Sequence, residues 1–217
     1  MRQLLLNRDQ ALNALSRYNR AEVLALDAKA ARKFSTGLGK SLDDLEDQVA
    51  FVFHEYGGLP LPRTVGLAQR VASEIHAARP MWEALLRDAP SFDLFAETNW
   101  SFARPAERHL ECFGEIRQLG HSAQLRCMTK FLHLLKPDAF VIADRWIGAA
   151  IDANLACDDG AEGYRHFVQL YLRFIVRHRS LLLDMALMEQ SRSWSHLKLV
   201  DKIILCRRSC GEQKLAA

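Results

Sequence analysis

The chain has 217 residues, 49% hydrophobic and 25% charged, with a net charge of +3, the balance of a folded globular protein rather than of a disordered or collagen-like one. A chain of this length buries enough apolar surface to fold without disulfides or a structural metal. No stretch reaches the roughly 20 uncharged apolar residues of a membrane helix. The opening Met1-Arg2-Gln3-Leu4-Leu5-Leu6 is too short an apolar run for a signal peptide, so the sequence reads as cytoplasmic, with no membrane partner.

Apolar residues recur at three- and four-residue spacing from end to end, which predicts a mainly α protein: a compact helical bundle of two tightly joined lobes, folded as one domain over residues 1–217. A first helix is expected from about Asp9 through Lys33, ended by the turn Ser35-Thr36-Gly37-Leu38-Gly39. Ser41 is the N-cap expected for a helix that buries Leu42, Leu45, Val49 and Val52, with Asp43 and Asp44 in its first turn, where the helix dipole favours acids. The segment Gly57-Gly58-Leu59-Pro60-Leu61-Pro62 cannot continue a helix. Helices follow at about 63–78 and 80–88, and Pro105 opens another that carries Leu110, Phe113 and Ile116 and ends at Gly120. Leu125, Met128, Phe131, Leu132 and Leu135 form the apolar face of the next helix, which stops near Pro137. A short extended stretch, Phe140-Val141-Ile142-Ala143, leads into Asp144, and the run from Tyr164 to Met188 is a buried helix or a bent pair.

Basic residues gather toward the C-terminal end. Residues 161–217 carry ten Lys and Arg against five Asp and Glu, an excess of +5 that leaves −2 for residues 1–160. Such an excess permits contact with a polyanion, while a solvated basic helix face is its commoner cause. Arg165, Arg173 and Arg177 recur at multiples of four and so form one stripe.

Several chemistries lack their signatures. Cys112, Cys127, Cys157, Cys206 and Cys210 form no CxxC pair, which fits free thiols and argues against an iron–sulfur cluster. The eight histidines contain no HxH or HExxH, so no metal is expected. There is no Walker loop, GxGxxG or GxSxG, so nucleotide hydrolysis, dinucleotide redox chemistry and α/β-hydrolase catalysis are unsupported and no cofactor is expected.

One window is more specific: Leu119-Gly120-His121-Ser122-Ala123-Gln124, an apolar helix, Pro137, then Phe140-Val141-Ile142-Ala143-Asp144-Arg145-Trp146-Ile147. This order of helix, tight Gly-containing turn, helix, apolar connector and carboxylate resembles the helix–hairpin–helix DNA glycosylases, with the element at about residues 108–155. Leu197-Lys198-Leu199-Val200-Asp201-Lys202-Ile203-Ile204-Leu205 is similar to a C-terminal element of small bacterial 8-oxoguanine-glycosylase-like proteins.

The resemblance implies a protein that binds duplex DNA, flips out a damaged or modified base and cleaves its N-glycosidic bond, in DNA repair or phage defence. In that reading Asp144 is the catalytic carboxylate, which stabilises positive charge on the sugar. Gly120, His121, Ser122, Gln124, Arg126, Arg145, Trp146, Arg165, Arg173 and Arg177 would then contact DNA. Ser122 stands where the family has its second hairpin glycine, and Gln124 stands where bifunctional members carry a lysine. That departure implies a monofunctional enzyme, with Lys130, six residues further along, as the lower-ranked nucleophile.

Each residue also has a plainer role. Asp144 suits a helix N-cap, and Arg126, Lys130 and His133 share a face that meets either DNA or water. The alternative function is a non-catalytic helical protein that binds DNA or a protein partner on the same scaffold.

Overall fold

The computed structural model describes residues 6–18, 21–56, 59, 66–96, 100, 102–144, 147–148, 151, 160–189 and 195–212. These are mainly helical, and no strand occurs among them. The elements are α1 (Arg8–Tyr18), α2 (Ala21–Lys33), α3 (Leu42–Phe51), a π-helical turn (Val52–Tyr56), α4 (Leu67–Ala77), α5 (Arg79–Asp88), α6 (Glu107–Glu111), a 3-10 turn (Gly114–Leu119), α7 (His121–Leu135), α8 (Gly160–Met188) and α9 (His196–Glu212). Among the described residues no helix is long and apolar enough to cross a membrane.

The single helix expected from Asp9 to Lys33 is two helices, because their apolar stripes face different neighbours. α1 packs against α9, whereas Ala30 of α2 and Phe34 just beyond it belong to the core around Phe131. The turn that follows α2 requires a glycine at residue 39, since a Cβ there would lie 2.8 Å from the backbone of Asp44 and Leu45. Gln48 reads the same turn, accepting from Gly39 N–H at 2.9 Å and donating to the Gly37 carbonyl at 2.8 Å. Ser41 caps α3 as its sequence predicts: its hydroxyl accepts from Asp44 N–H at 3.1 Å while the Asp44 carboxylate accepts from Ser41 N–H at 3.0 Å.

α3 packs along α4. Behind them Trp82, Phe113, Phe131 and Phe34 meet at centroid distances between 5.8 and 6.2 Å, so α7 enters the middle of an aromatic core. The helix expected after Pro105 is shorter, one α-helical turn and a half that tightens into the 3-10 turn before Gly120. α8 is bent at His178, whose φ of −109° and ψ of 16° break the helical ladder while its ring rests 4.7 Å from Phe174.

Candidate functional site

Gly120 begins α7 with φ 106° and ψ 147°, a conformation open to glycine and strained for any residue with a Cβ, and no side chain caps the helix there. From that point Leu125, Met128, Phe131 and Leu132 face the core and are buried. Ser122 is exposed, while Arg126 and Lys130 are half-buried on the other side of the helix.

The backbone of the connector 140–144 is held by three side chains that replace the strand partner it lacks. The Phe140 carbonyl meets His133 Nδ1 at 2.8 Å. Tyr164 Oη accepts from Val141 N–H at 3.2 Å and donates to the Val141 carbonyl at 3.1 Å. Thr129 Oγ1 accepts from Ala143 N–H at 3.0 Å. Burial drives the His133 imidazole down to about 3, so it is neutral and its Nδ1 carries the donated proton. The connector therefore delivers Asp144 from fixed points on α7 and α8. The Asp144 carbonyl accepts from Gly148 N–H at 2.8 Å, which opens a helical turn, as an N-cap position requires.

Asp144 is 7% exposed and lines a cavity of about 140 Å³ together with Lys130, Asp27, Tyr56, Lys198, Asp201 and Lys202. Four separate segments converge there: α2, the π-helical turn, α7 with its connector, and α9. Lys130 Nζ donates to the Tyr56 carbonyl at 3.2 Å and lies 5.8 Å from the Tyr56 ring centroid. Lys198 Nζ is 3.2 Å from Asp27 Oδ1, touches the Tyr56 hydroxyl and lies 4.9 Å over the Tyr56 ring. Lys202 Nζ is 3.0 Å from Asp27 Oδ2, so one carboxylate holds two ammonium groups.

Asp201 differs from the other carboxylates. It is 2% exposed; its Oδ1 accepts from Tyr171 Oη at 2.6 Å, and its Oδ2 is buried with no hydrogen-bond partner. Burial raises its carboxyl to about 7, against the opposing pull of the Tyr171 hydroxyl and Lys198. Burial also lowers the Lys130 ammonium, against the attraction of Asp144 and with the help of Arg126. The cavity thus holds an amine and an acid that both depart from their solution behaviour, a pattern typical of reactive sites.

A pH dependence of stability follows from Asp201. Its carboxyl rises from 3.8 to about 7 on folding, so between those values the folded chain keeps a proton that the unfolded chain has lost. Stability is lost as pH rises through that window, by an amount on the order of 4 kcal/mol. Asp201→Asn escapes the penalty, and its melting temperature is expected to gain on the wild type from about pH 4 to about pH 7 and to level off above that. A difference that stays constant across that range in thermal melts would contradict this.

Of the residues singled out in the sequence, Asp144 and Lys130 come together in one cavity. Gly120 sits at the head of α7, Ser122 is exposed beside it, and Arg165, Arg173 and Arg177 are exposed on α8. Arg165 pairs with Glu162 at 3.2 Å. Arg145, Trp146 and the side chain of His121 lie outside the described residues.

Gln124 requires correction. It is fully buried, and its Nε2 donates to the Leu110 carbonyl at 2.8 Å, because residue 124 falls on the same stripe as Met128 and Phe131. It ties α6 to α7 and cannot reach DNA. His133 likewise leaves the face it was expected to share with Arg126 and Lys130, since it is buried against the connector.

Asp27, Tyr56, Lys198, Asp201 and Lys202 were missed as site residues. The signal available was Lys198, Asp201 and Lys202 at three- and four-residue spacing inside the apolar run from Leu197 to Leu205, three charges on one face of a helix otherwise fit only for burial. Comparison with models of known protein families, with curated proteins and with solved structures finds no match to this chain.

Proposed function

We propose that this protein is a DNA glycosylase of the helix–hairpin–helix type, on a two-lobed helical scaffold, and that it releases a damaged or modified base from duplex DNA. The observation that carries this reading is the meeting of Lys130 and Asp144 in one cavity. A carboxylate beside an extruded nucleoside opposes the positive charge that builds on the sugar as the N-glycosidic bond breaks. An amine whose proton affinity is lowered by burial gives up its proton more readily than an exposed lysine, and its free base is a nucleophile for the sugar C1′ carbon. Gln124 at the hairpin pointed to a monofunctional enzyme; its burial and the position of Lys130 favour the lysine six residues along α7 as the nucleophile.

Backbone binding falls to two surfaces. The first N–H groups of α7 follow a glycine and carry no side-chain cap, the arrangement that holds a phosphate without reading sequence. Arg173 and Arg177 lie exposed one helical turn apart on α8. Each phosphate that an arginine neutralises contributes about −0.9 to the slope of log K against log salt, so Arg173→Ala with Arg177→Ala should reduce the slope by up to about two units. Binding should weaken alike for all sequences. Unchanged affinity and slope in a filter-binding titration would remove α8 from the DNA surface.

The test of the reaction is mass spectrometry for free base released from duplexes that carry a panel of oxidised, alkylated, deaminated and hypermodified bases. Release of one base class supports the glycosylase. Binding to these duplexes without release of any base would favour the non-catalytic scaffold.

A further inference from the structure

The glycosylase reading gives a role to Asp144 and Lys130 and leaves the most deeply buried acid of the cavity without one. Asp201 stands on α9, 57 residues beyond Asp144, and lines the same cavity. Tyr171 of α8 fixes its carboxyl plane through Oδ1. Oδ2, buried and without a hydrogen-bond partner, is the atom left for a ligand. A buried polar oxygen with no partner is costly, a cost that a bound group able to share its proton removes. The charged neighbours are divided among the surrounding elements: Lys198 and Lys202 on α9, Lys130 on α7, Asp144 at the end of the connector and Asp27 on α2. The hydroxyls of Tyr56, Tyr164 and Tyr171 complete the set, and all three are held in their protonated form by burial.

We propose that Asp201 is the proton donor to the departing base, so that the two carboxyl groups of the cavity divide the reaction, Asp144 facing the sugar as an anion and Asp201 facing the base as an acid. This rests on the glycosylase reading and adds the group that reading lacks. The electron pair of the N-glycosidic bond leaves with the base, which takes the proton from Asp201 Oδ2 and departs neutral. The lone pair of Lys130 Nζ forms the new bond to C1′. The attached amine then sheds one proton, which returns to the Asp201 carboxylate, so the acid is regenerated and charge balances. Two carboxyls in unlike environments sharing acid and anion roles is a general solution for glycosidic cleavage.

The role has a signature that a packing role lacks, because a proton donor matters most when the leaving base is a poor anion. The experiment is single-turnover release of the base identified by the panel, compared with the same base carrying a ring fluorine, whose anion leaves more readily. Asp201→Asn should slow release of the parent base on the order of a hundredfold or more, and of the fluorinated base by about tenfold at most. The wild-type rate should fall on the alkaline side of about pH 7, where Asp201 loses its proton, and this limb should vanish in Asp201→Asn. Tyr171→Phe removes a hydrogen bond that favours the carboxylate, so it should move the limb to higher pH, and it serves as the deciding variant if Asp201→Asn fails to fold.

Equal slowing of both bases, or a limb that neither variant moves, would overturn the donor role. If Asp144→Asn and Lys130→Gln still abolish release in that case, the glycosylase reading stands without Asp201. Failure of the wild type to release any base of the panel would remove the donor together with the reaction.

Discussion

Asp144→Asn is expected to reduce base release by at least about a hundredfold, the scale on which removal of one preorganised electrostatic group acts, while the helical circular dichroism stays unchanged. The two roles of this residue separate cleanly. Its backbone carbonyl receives the Gly148 N–H at 2.8 Å, and its own N–H donates to the Ile142 carbonyl at 3.1 Å; neither bond involves the side chain. Asn keeps the size and one acceptor oxygen, and replaces the charge and the second oxygen with an amide donor. The connector is held independently by His133, Tyr164 and Thr129, so the substituted residue stays in place. Mass spectrometry of released base under single-turnover conditions measures the loss. Full activity in Asp144→Asn would move the chemistry out of this cavity.

Lys130→Gln is the second large effect. In the wild type, borohydride should reduce the imine between Lys130 and the opened sugar and leave a stable protein–DNA adduct, visible as a mass shift on denaturing gels. The burial that lowers the Lys130 ammonium means that trapping should persist at pH values where an ordinary surface lysine is fully protonated and inert. Gln is one bond shorter than Lys; it removes the amine, and with it the bond of 3.2 Å to the Tyr56 carbonyl, but keeps an uncharged polar N–H group on this face of α7. The adduct should therefore disappear without loss of fold, and base release should fall by at least about a hundredfold. Base release that survives Lys130→Gln, with no adduct in either protein, would return the reaction to a water nucleophile, as the residue at the hairpin implies.

Lys198 and Lys202 illustrate how a charged cluster at the wall of the cavity is held together. Each is paired to the Asp27 carboxylate, at 3.2 and 3.0 Å, and Lys198 also meets the Tyr56 hydroxyl. Removing one partner of a buried pair leaves the other charge uncompensated and is strongly destabilising. The network therefore fixes α2, the π-helical turn and α9 relative to one another, and so fixes the walls around Asp144 and Lys130.

Local chemistry alone determined much of this protein. The Ser41 cap with its Asp44 reply, the glycine that starts α7, the stop near Pro137 and the buried run from Phe140 to Asp144 are each written within a few residues, because caps, glycines, prolines and apolar spacing act over one or two turns. Asp144 and Lys130 were legible for the same reason, as members of one contiguous window. Gln124 was misread within that window: the family's hairpin position suggested a DNA contact, whereas its i, i+4, i+7 register with Met128 and Phe131 turns it inward, where the Leu110 carbonyl accepts its amide.

The remainder of the cavity was decided by tertiary structure. Asp27, Tyr56 and Asp201 are separated by 29 and 145 residues, and no periodicity links them. Their meeting follows from the packing of the π-helical turn against α7 and from the ion pairs that tie Asp27 of α2 to Lys198 and Lys202 of α9. The same burial changes what the residues are chemically: Asp201 becomes an acid near pH 7 and Lys130 a weaker base only because the folded chain has removed them from water. A sequence states which groups ionise; the dielectric that surrounds them is a property of the whole fold.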